Sequence, residues 1–199
     1  MRSLAGLAVL LLAGVVLSVV ALLLTAHGAG SPSGTGRAGQ PPLPGTGDTN
    51  SGGRGQPVSG VECHTFEQFA YHVHAHLHIS LDGVGRPVPA LIGIPGGQSG
   101  FASCYYWLHT HDQSGIIYIE SPDRRTFTLG QFFDVWGEPL GRTQVTDVPV
   151  PDGEISVFLD GREYGDNPRQ IALHNHTDVV IEIGSHRALP SAYRFPTGY

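Results

Sequence analysis

Hydrophobic and polar residues alternate strictly between Tyr71 and Ser80, in the stretch YHVHAHLHIS. Because successive side chains of a β-strand point to opposite faces, this pattern predicts a strand with one apolar face and one face of imidazoles. Residues two apart on a strand lie about 6–7 Å apart at Cα, so imidazoles on that face can converge on one metal ion. The alternative is a histidine row that simply forms the solvated face of the strand. The histidines of the row are His72, His74, His76 and His78.

Further short apolar or alternating stretches predict additional strands, separated by turn sequences such as DGVG and DQSG. The predicted strand Cys104–His111 carries His109 and His111 on one face, at the rim of a hairpin. Another turn, with His174 and His176, separates two short strands near the end of the chain. The remaining predicted strands are Val88–Ile94, Ile116–Glu120, Ile155–Leu159 and the two short ones within Ile171–Ile183.

The segment FTLGQFFDVWG predicts a helix, with Thr128 as N-cap, Gln131 completing a capping box and Gly137 at the C′ position. Its apolar residues recur at helical spacing, which indicates one face packed on a sheet. Many short strands and one short helix predict a mainly β fold class, an antiparallel sandwich or open barrel. The alternative is an α+β sheet with that helix across one face.

The first 26 residues predict an N-terminal transmembrane anchor, or a signal sequence, because Leu4–Leu24 is uncharged and long enough to cross a bilayer. The positive charge of Arg2 places the N-terminus in the cytoplasm, so the chain is expected in the cell membrane as a single-pass protein with an extracytoplasmic C-terminal part. Residues 27–60 are rich in Gly, Pro and Ser and predict a disordered linker. Residues 61–199 then form one extracytoplasmic, His-rich β domain.

The formal net charge of −6 argues against nucleic acid and anionic lipid as partners. The membrane, through the N-terminal helix, is the one expected partner. The chain has two cysteines, Cys63 and Cys104, near the starts of the two histidine-bearing segments. In an oxidising compartment they are expected to form a disulfide; the alternative is that one of them is a thiolate metal ligand.

The histidines, with nearby carboxylates, predict a site for a divalent transition metal, zinc or copper above all. The only methionine is Met1, which disfavours a copper(I) carrier. Asp112 and Glu120 are candidate ligands, orienting groups or general bases. The candidate imidazole ligands are His72, His74, His76, His109, His111 and His176.

The motifs HVHAHL, WLHTHDQSGIIYIESP, FTLGQFFDVWG and IALHNHTDVVIEIG together resemble a family of uncharacterised bacterial proteins that are exported and often membrane-anchored. The resemblance covers essentially all of residues 61–199 and implies no particular activity. Where the family tends to carry a histidine after the HTHD motif, this chain has Tyr118. The resemblance implies recurrent roles for His72, His74, His76, Cys104, His109, His111, Asp112, Glu120 and His176.

Three functions remain open from the sequence. The first is a tethered module that captures or senses a divalent metal. The second is a metal-dependent enzyme in which an open coordination position activates water or oxygen. The third is a structural or partner-binding β domain without metal, whose histidines respond to pH near 6.5.

Overall fold

The structure, a computed structural model, describes residues 52–150, 154–185 and 190–199. Within these ranges it contains thirteen strands, one α-helix and two short 3-10 helices, Gly97–Ser99 and Pro168–Gln170. The helix α1 is Leu129–Trp136. The strands are β1 Cys63–His64, β2 Tyr71–Leu81, β3 Val84–Arg86, β4 Tyr105–Tyr106, β5 Leu108–His109, β6 Ile116–Ser121, β7 Phe127–Thr128, β8 Gln144–Val145, β9 Val148–Pro149, β10 Ile155–Leu159, β11 Arg162–Glu163, β12 Ala172–Leu173 and β13 Asp178–Ile183.

Seven of the strands form one sheet, in the order β11-β10-β13-β2-β6-β5, with β3 also paired to β2. Every pair in this sheet is antiparallel except β2 and β13, which run parallel. Three two-stranded sheets, β1-β4, β7-β12 and β8-β9, accompany it. The predicted mainly β class with one short helix is confirmed. None of the sheets in the described ranges closes into a barrel, so the arrangement is consistent with a sandwich.

The two faces of the large sheet differ in chemistry because the strands alternate in polarity. Ala75, Leu77 and Ile79 of β2 are fully or almost fully buried and join the apolar side chains of β6 and β13 in one core cluster. Phe132 and Trp136 of α1 belong to the same cluster, so the helix covers this side of the sheet. The opposite side carries the histidines of β2.

The helix forms as its sequence predicts. The Thr128 side chain accepts a hydrogen bond from the Gln131 N–H, and the Gln131 side chain accepts one from the Thr128 N–H, which completes the capping box. Gly137 ends the helix in the left-handed conformation, with φ 83°.

Two strand predictions differ from the structure. Val88–Ile94 contains no strand; it is an irregular stretch and a turn, and Val84–Arg86 is the segment that pairs with β2. Pro87 and Pro89 lack N–H donors, and Gly93 has a φ of 72°, so this stretch cannot continue a sheet ladder. The predicted strand Cys104–His111 is divided into β4 and β5, which pair with different neighbours, β1 and β6.

The predicted disulfide is confirmed: Cys63 is bonded to Cys104, at a sequence separation of 41. The alternative of a cysteine thiolate as a metal ligand was therefore wrong. Because β1 pairs with β4 beside this bond, the segment that leads into β2 is fixed next to the segment that leads into β5.

The predicted anchor, residues 1–26, lies outside the described residues. In the ranges that the structure does describe, no helix is long and apolar enough to cross a membrane. We therefore withdraw the expectation of membrane attachment through an N-terminal helix and the single-pass location derived from it. Of the predicted linker only residues 52–60 are described, and they contact the domain: the Gly53 N–H donates to the Val135 carbonyl at 2.9 Å, and the Gly55 N–H donates to the Tyr106 hydroxyl at 2.9 Å.

Candidate metal centre

The candidate site lies where β6 separates the two histidine-bearing strands. Its register places His72 opposite Glu120 on one side, and Tyr118 opposite both His74 of β2 and His109 of β5. Directly paired residues point to the same face of a sheet, so all of these side chains share the polar face. The strand order thus brings together two His-x-His pairs that are far apart in sequence.

Glu67, His109 and His111 form the first cluster, which we call the Glu67 group. One ligand atom from each residue lies within 4.8 Å of the other two. His109 Nε2 is 3.2 Å from His111 Nε2, and His111 Nε2 is 3.3 Å from Glu67 Oε1. His109 Nε2 is 3.8 Å from the same carboxylate oxygen. His109 is fully buried, Glu67 is half-buried and His111 is exposed, so the group opens to solvent on one side.

His109 is held in the tautomer that a metal ligand needs. Its Nδ1–H donates to the main-chain carbonyl of Tyr106 at 2.8 Å, and since a carbonyl can only accept, the proton is on Nδ1. The lone pair of Nε2 therefore points at His111 and Glu67. Burial lowers the pKa of His109 to about 3, so the ring is neutral over the whole physiological range.

His72, His74 and Glu120 form the second cluster, the Glu120 group. His72 Nε2 is 3.0 Å from His74 Nε2 and 3.2 Å from Glu120 Oε1. Burial, together with the neighbouring His72, lowers the pKa of His74 to about 4, and burial also lowers the pKa of His72. Both rings are thereby kept neutral and able to donate a lone pair.

Glu120 connects the two groups. Its Oε1 faces His72, while its Oε2 lies 3.9 Å from His109 Nε2. The residue is 2 % exposed, and Oε2 accepts no hydrogen bond from any residue that the structure describes. Burial, reinforced by the negative charge of Glu67, raises the pKa of Glu120 to about 7.

Tyr118 stands between the two groups. Its ring centroid is 4.7 Å from that of His74, 5.5 Å from that of His109 and 4.4 Å from that of His111. The Tyr118 hydroxyl is directed away toward the Tyr199 hydroxyl, at 3.0 Å. Tyr118 therefore fills the space between the imidazoles with an aromatic ring.

Three of the predicted site residues have other partners. His76 Nδ1 lies 2.8 Å from Asp178 Oδ1, and the His76 ring stacks on Tyr193 with centroids 3.5 Å apart. His176 occupies an exposed turn with φ 63°, and its Nε2–H donates to the main-chain oxygen of Tyr199 at 2.9 Å. Asp112 is exposed and accepts a hydrogen bond from the Ser114 N–H at 2.8 Å, so its carboxylate stabilises a turn.

Glu67 is the site residue that the sequence analysis missed. It lies in the irregular segment between β1 and β2, where no periodicity shows which way a side chain points. The predicted disulfide could have indicated Glu67 as a site residue. Glu67 follows Cys63 by four residues, and Cys104 precedes His109 by five. A bond between those cysteines brings the acidic residue toward the second His-x-His pair.

The fold and the site together define a class: a mainly β domain that holds a Glu/His/His group close enough to bind a metal ion. Comparison with models of known families, with curated proteins and with solved structures found no match to this chain. The interpretation of the site therefore depends on its own geometry and chemistry.

Proposed function

We propose that this protein binds a divalent transition metal ion through Glu67 Oε1, His109 Nε2 and His111 Nε2. The observation that carries the proposal is the convergence of these three atoms within 4.8 Å of one another. Two neutral imidazoles and one carboxylate are a common donor set for zinc and also suit copper(II). With both cysteines in a disulfide, no thiolate is offered in the described residues.

The hydrogen-bonding pattern without metal also favours a cation at this point. Because His109 Nε2 carries no proton, a hydrogen bond here needs a proton on His111 Nε2, and that one proton would face two acceptors, His109 Nε2 at 3.2 Å and Glu67 Oε1 at 3.3 Å. A divalent cation at the same place would accept electron pairs from all three atoms and would balance the carboxylate charge. Because His109 is neutral down to about pH 3, protons compete little for that ligand.

A metal-dependent enzyme is the second candidate function. Three protein ligands leave at least one coordination position of a tetrahedral ion for water, as in catalytic rather than structural zinc sites. The exposed side of the Glu67 group, at His111, gives a substrate or water access to that position. By contrast, pH sensing near 6.5 is disfavoured for His74 and His109, whose pKa values of about 4 and about 3 lie below that range.

The proposal is tested by the zinc content of the full chain after saturation and desalting, measured by mass spectrometry. We expect bound zinc in the wild type and a loss of at least one equivalent in both His109→Ala and Glu67→Gln. His174→Ala is the matched control, because His174 is exposed on a turn and should leave the zinc content unchanged. A wild type that retains no zinc, or variants that retain as much as the wild type, would contradict the proposal.

A further inference from the structure

We infer that the centre is dinuclear: His72, His74 and Glu120 hold a second divalent metal ion, and the Glu120 carboxylate bridges it to the ion of the Glu67 group. This inference rests on the proposed function in that the bridge requires an ion at the Glu67 group. The ligand class is the same, a divalent transition metal that accepts imidazole nitrogen and carboxylate oxygen.

The two groups share two contacts, but among the described residues the Glu67 group is the one whose three ligand atoms all lie within 4.8 Å of one another. In each, an inner histidine is buried and an outer histidine is exposed; His109 is 0 % and His74 is 5 % exposed. The two Nε2 atoms of each pair are 3.2 Å and 3.0 Å apart, and the outer Nε2 lies 3.3 Å and 3.2 Å from a carboxylate oxygen. In both groups the outer imidazole thus lies between the inner imidazole and a carboxylate oxygen, and a metal ion at the Glu120 group would draw His74 and Glu120 closer together.

The position of Glu120 is the independent observation that points to a bound cation. Its carboxylate is almost completely buried, and its Oε2, which faces His109, has no hydrogen-bond partner among the described residues. A buried charged oxygen without a partner is costly unless a cation compensates it. One ion next to His72 and another next to His109 would satisfy the two oxygens separately.

The strand order makes a bridge possible. Because β6 lies between β2 and β5, a side chain of β6 can contact histidines of both neighbouring strands. Glu120 is paired with His72 and lies two residues after Tyr118, which is paired with His109. Metal ions that share ligands in this way are typically about 3.5–4 Å apart.

The stoichiometry of zinc binding to the full chain tests the second ion. We expect two zinc ions per wild-type chain, and one per chain in His74→Ala and in His72→Ala. The His72 side chain is exposed, so its removal should not impair folding. His72→Ala therefore tests the ligand role even if His74→Ala, at a buried position, fails to fold. His78→Ala, an exposed histidine on the same face, is the matched control and should still bind two.

The outcomes separate the two proposals. One zinc per wild-type chain, unchanged in His72→Ala and lost in His109→Ala, would overturn the second ion and leave the Glu67 group as proposed. Zinc that survives in His109→Ala and Glu67→Gln but is lost in His72→Ala would instead contradict the proposed function.

Electron paramagnetic resonance of the copper(II)-loaded full chain tests the bridge. Two copper(II) ions that share a carboxylate couple their spins, so we expect the integrated signal to fall well below two spins per two bound ions. Glu120→Gln, which cannot bridge as a carboxylate, should restore one full spin per bound copper. A full signal from two ions in the wild type would overturn the bridge.

Discussion

Glu120 places a carboxylate where ionisation is unfavourable without a cation. Its pKa is about 7 in the folded protein, raised from 4.5 mainly by burial. Between about pH 4.5 and 7 the folded state therefore binds more protons than the unfolded state, and its stability falls as the pH rises through that window. Above pH 7 the metal-free protein carries the full cost of the buried charge.

Replacing Glu120 by Gln should remove this cost. We expect metal-free Glu120→Gln to be more stable than the wild type at pH 8 by about 1–3 kcal/mol, an advantage that shrinks as the pH falls toward 4.5. Urea unfolding of both proteins in the presence of a chelator at pH 8 and pH 5 measures it. A variant that is less stable than the wild type at pH 8 would show that Glu120 is stabilising as a charge.

At the level of single residues, the sequence could predict most of the imidazole ligands. Strict alternation in YHVHAHLHIS and in His109-Thr110-His111 determines which side chains share a face. Four of these histidines, His72, His74, His109 and His111, meet in the site. It could not separate His76 from His74, since both point the same way and only the neighbouring strand decides. Asp178 of β13 engages His76, and this partner enters from a distant part of the sequence.

Among the structural elements, the disulfide fixes the carboxylate of the Glu67 group. Glu67 has no regular secondary structure of its own, and the bond of Cys63 to Cys104 attaches its segment to the start of β4. The histidines of the Glu120 group lie on the long strand β2 and need no such support.

We expect Cys63→Ser/Cys104→Ser to lower the free energy of unfolding by about 2–4 kcal/mol. We also expect zinc affinity to fall at the Glu67 group and to change little at the Glu120 group. Urea unfolding and zinc titration of the full chain measure the two effects.

Thr128→Ala is the matched control for the loss of stability. It removes the helix N-cap at a cost of about 1 kcal/mol. The capping hydrogen bonds of Thr128 are to Gln131, which belongs to neither group, so zinc affinity should stay as in the wild type. If the cysteine double variant binds zinc as tightly as Thr128→Ala does, the disulfide does not position Glu67.

Elements with strong local signals were the ones that the sequence could predict. The capping box and the aromatic stripe identified α1, and alternation identified β2, β6 and β10. The stretch Val88–Ile94 has the composition of a strand, but Pro89 lacks an N–H donor and Leu91 adopts a turn conformation with a φ of 63°. Its main-chain groups instead bond to β5 and the residues around it, as in the Leu91 N–H donating to the Thr110 carbonyl at 2.9 Å.

Considered as a whole, the molecule covers part of its histidine face with residues 190–199. The Tyr193 N–H donates to Asp178 Oδ2 at 2.9 Å, and its ring stacks on His76. The Tyr199 ring lies 4.7 Å from that of His74. This segment contributes to the burial that keeps the pKa of His74 at about 4.

Deletion of residues 190–199 should therefore raise the pKa of His74 toward 6.5, because a solvated imidazolium is no longer penalised. Zinc binding to the Glu120 group should then be lost at a higher pH than in the wild type, while binding at pH 7.5 is retained. Nuclear magnetic resonance titration of the His74 ring and zinc titrations at pH 5.5 and 7.5 test this. Tyr193→Ala, which loosens the cover at His76, is the control; an unchanged His74 pKa after deletion would contradict the role of the segment.

The fold class could be predicted for the whole molecule, but its topology could not. Short alternating strands indicate a mainly β domain, whereas nothing local shows that Asp178–Ile183 lies parallel to Tyr71–Leu81. Such a pairing depends on the connections between the strands and on the core that forms around them. The meeting of the two His-x-His pairs depends likewise on the position of β6 between β2 and β5, which no local sequence pattern shows.

The parallel pairing of β2 with β13 has a consequence for biosynthesis. Residues 76–81 pair with residues 178–183, about a hundred positions later, so residues 178–183 must be synthesised before that edge of β2 can be paired. Native contacts of such long range form slowly, and an open strand edge is prone to pair with other chains. Chains that end before residue 178 will therefore expose the unpaired edge of β2, which can associate with other chains. A metal ion that binds at this stage will meet the imidazoles of β2 before the rest of the site has folded around Glu120.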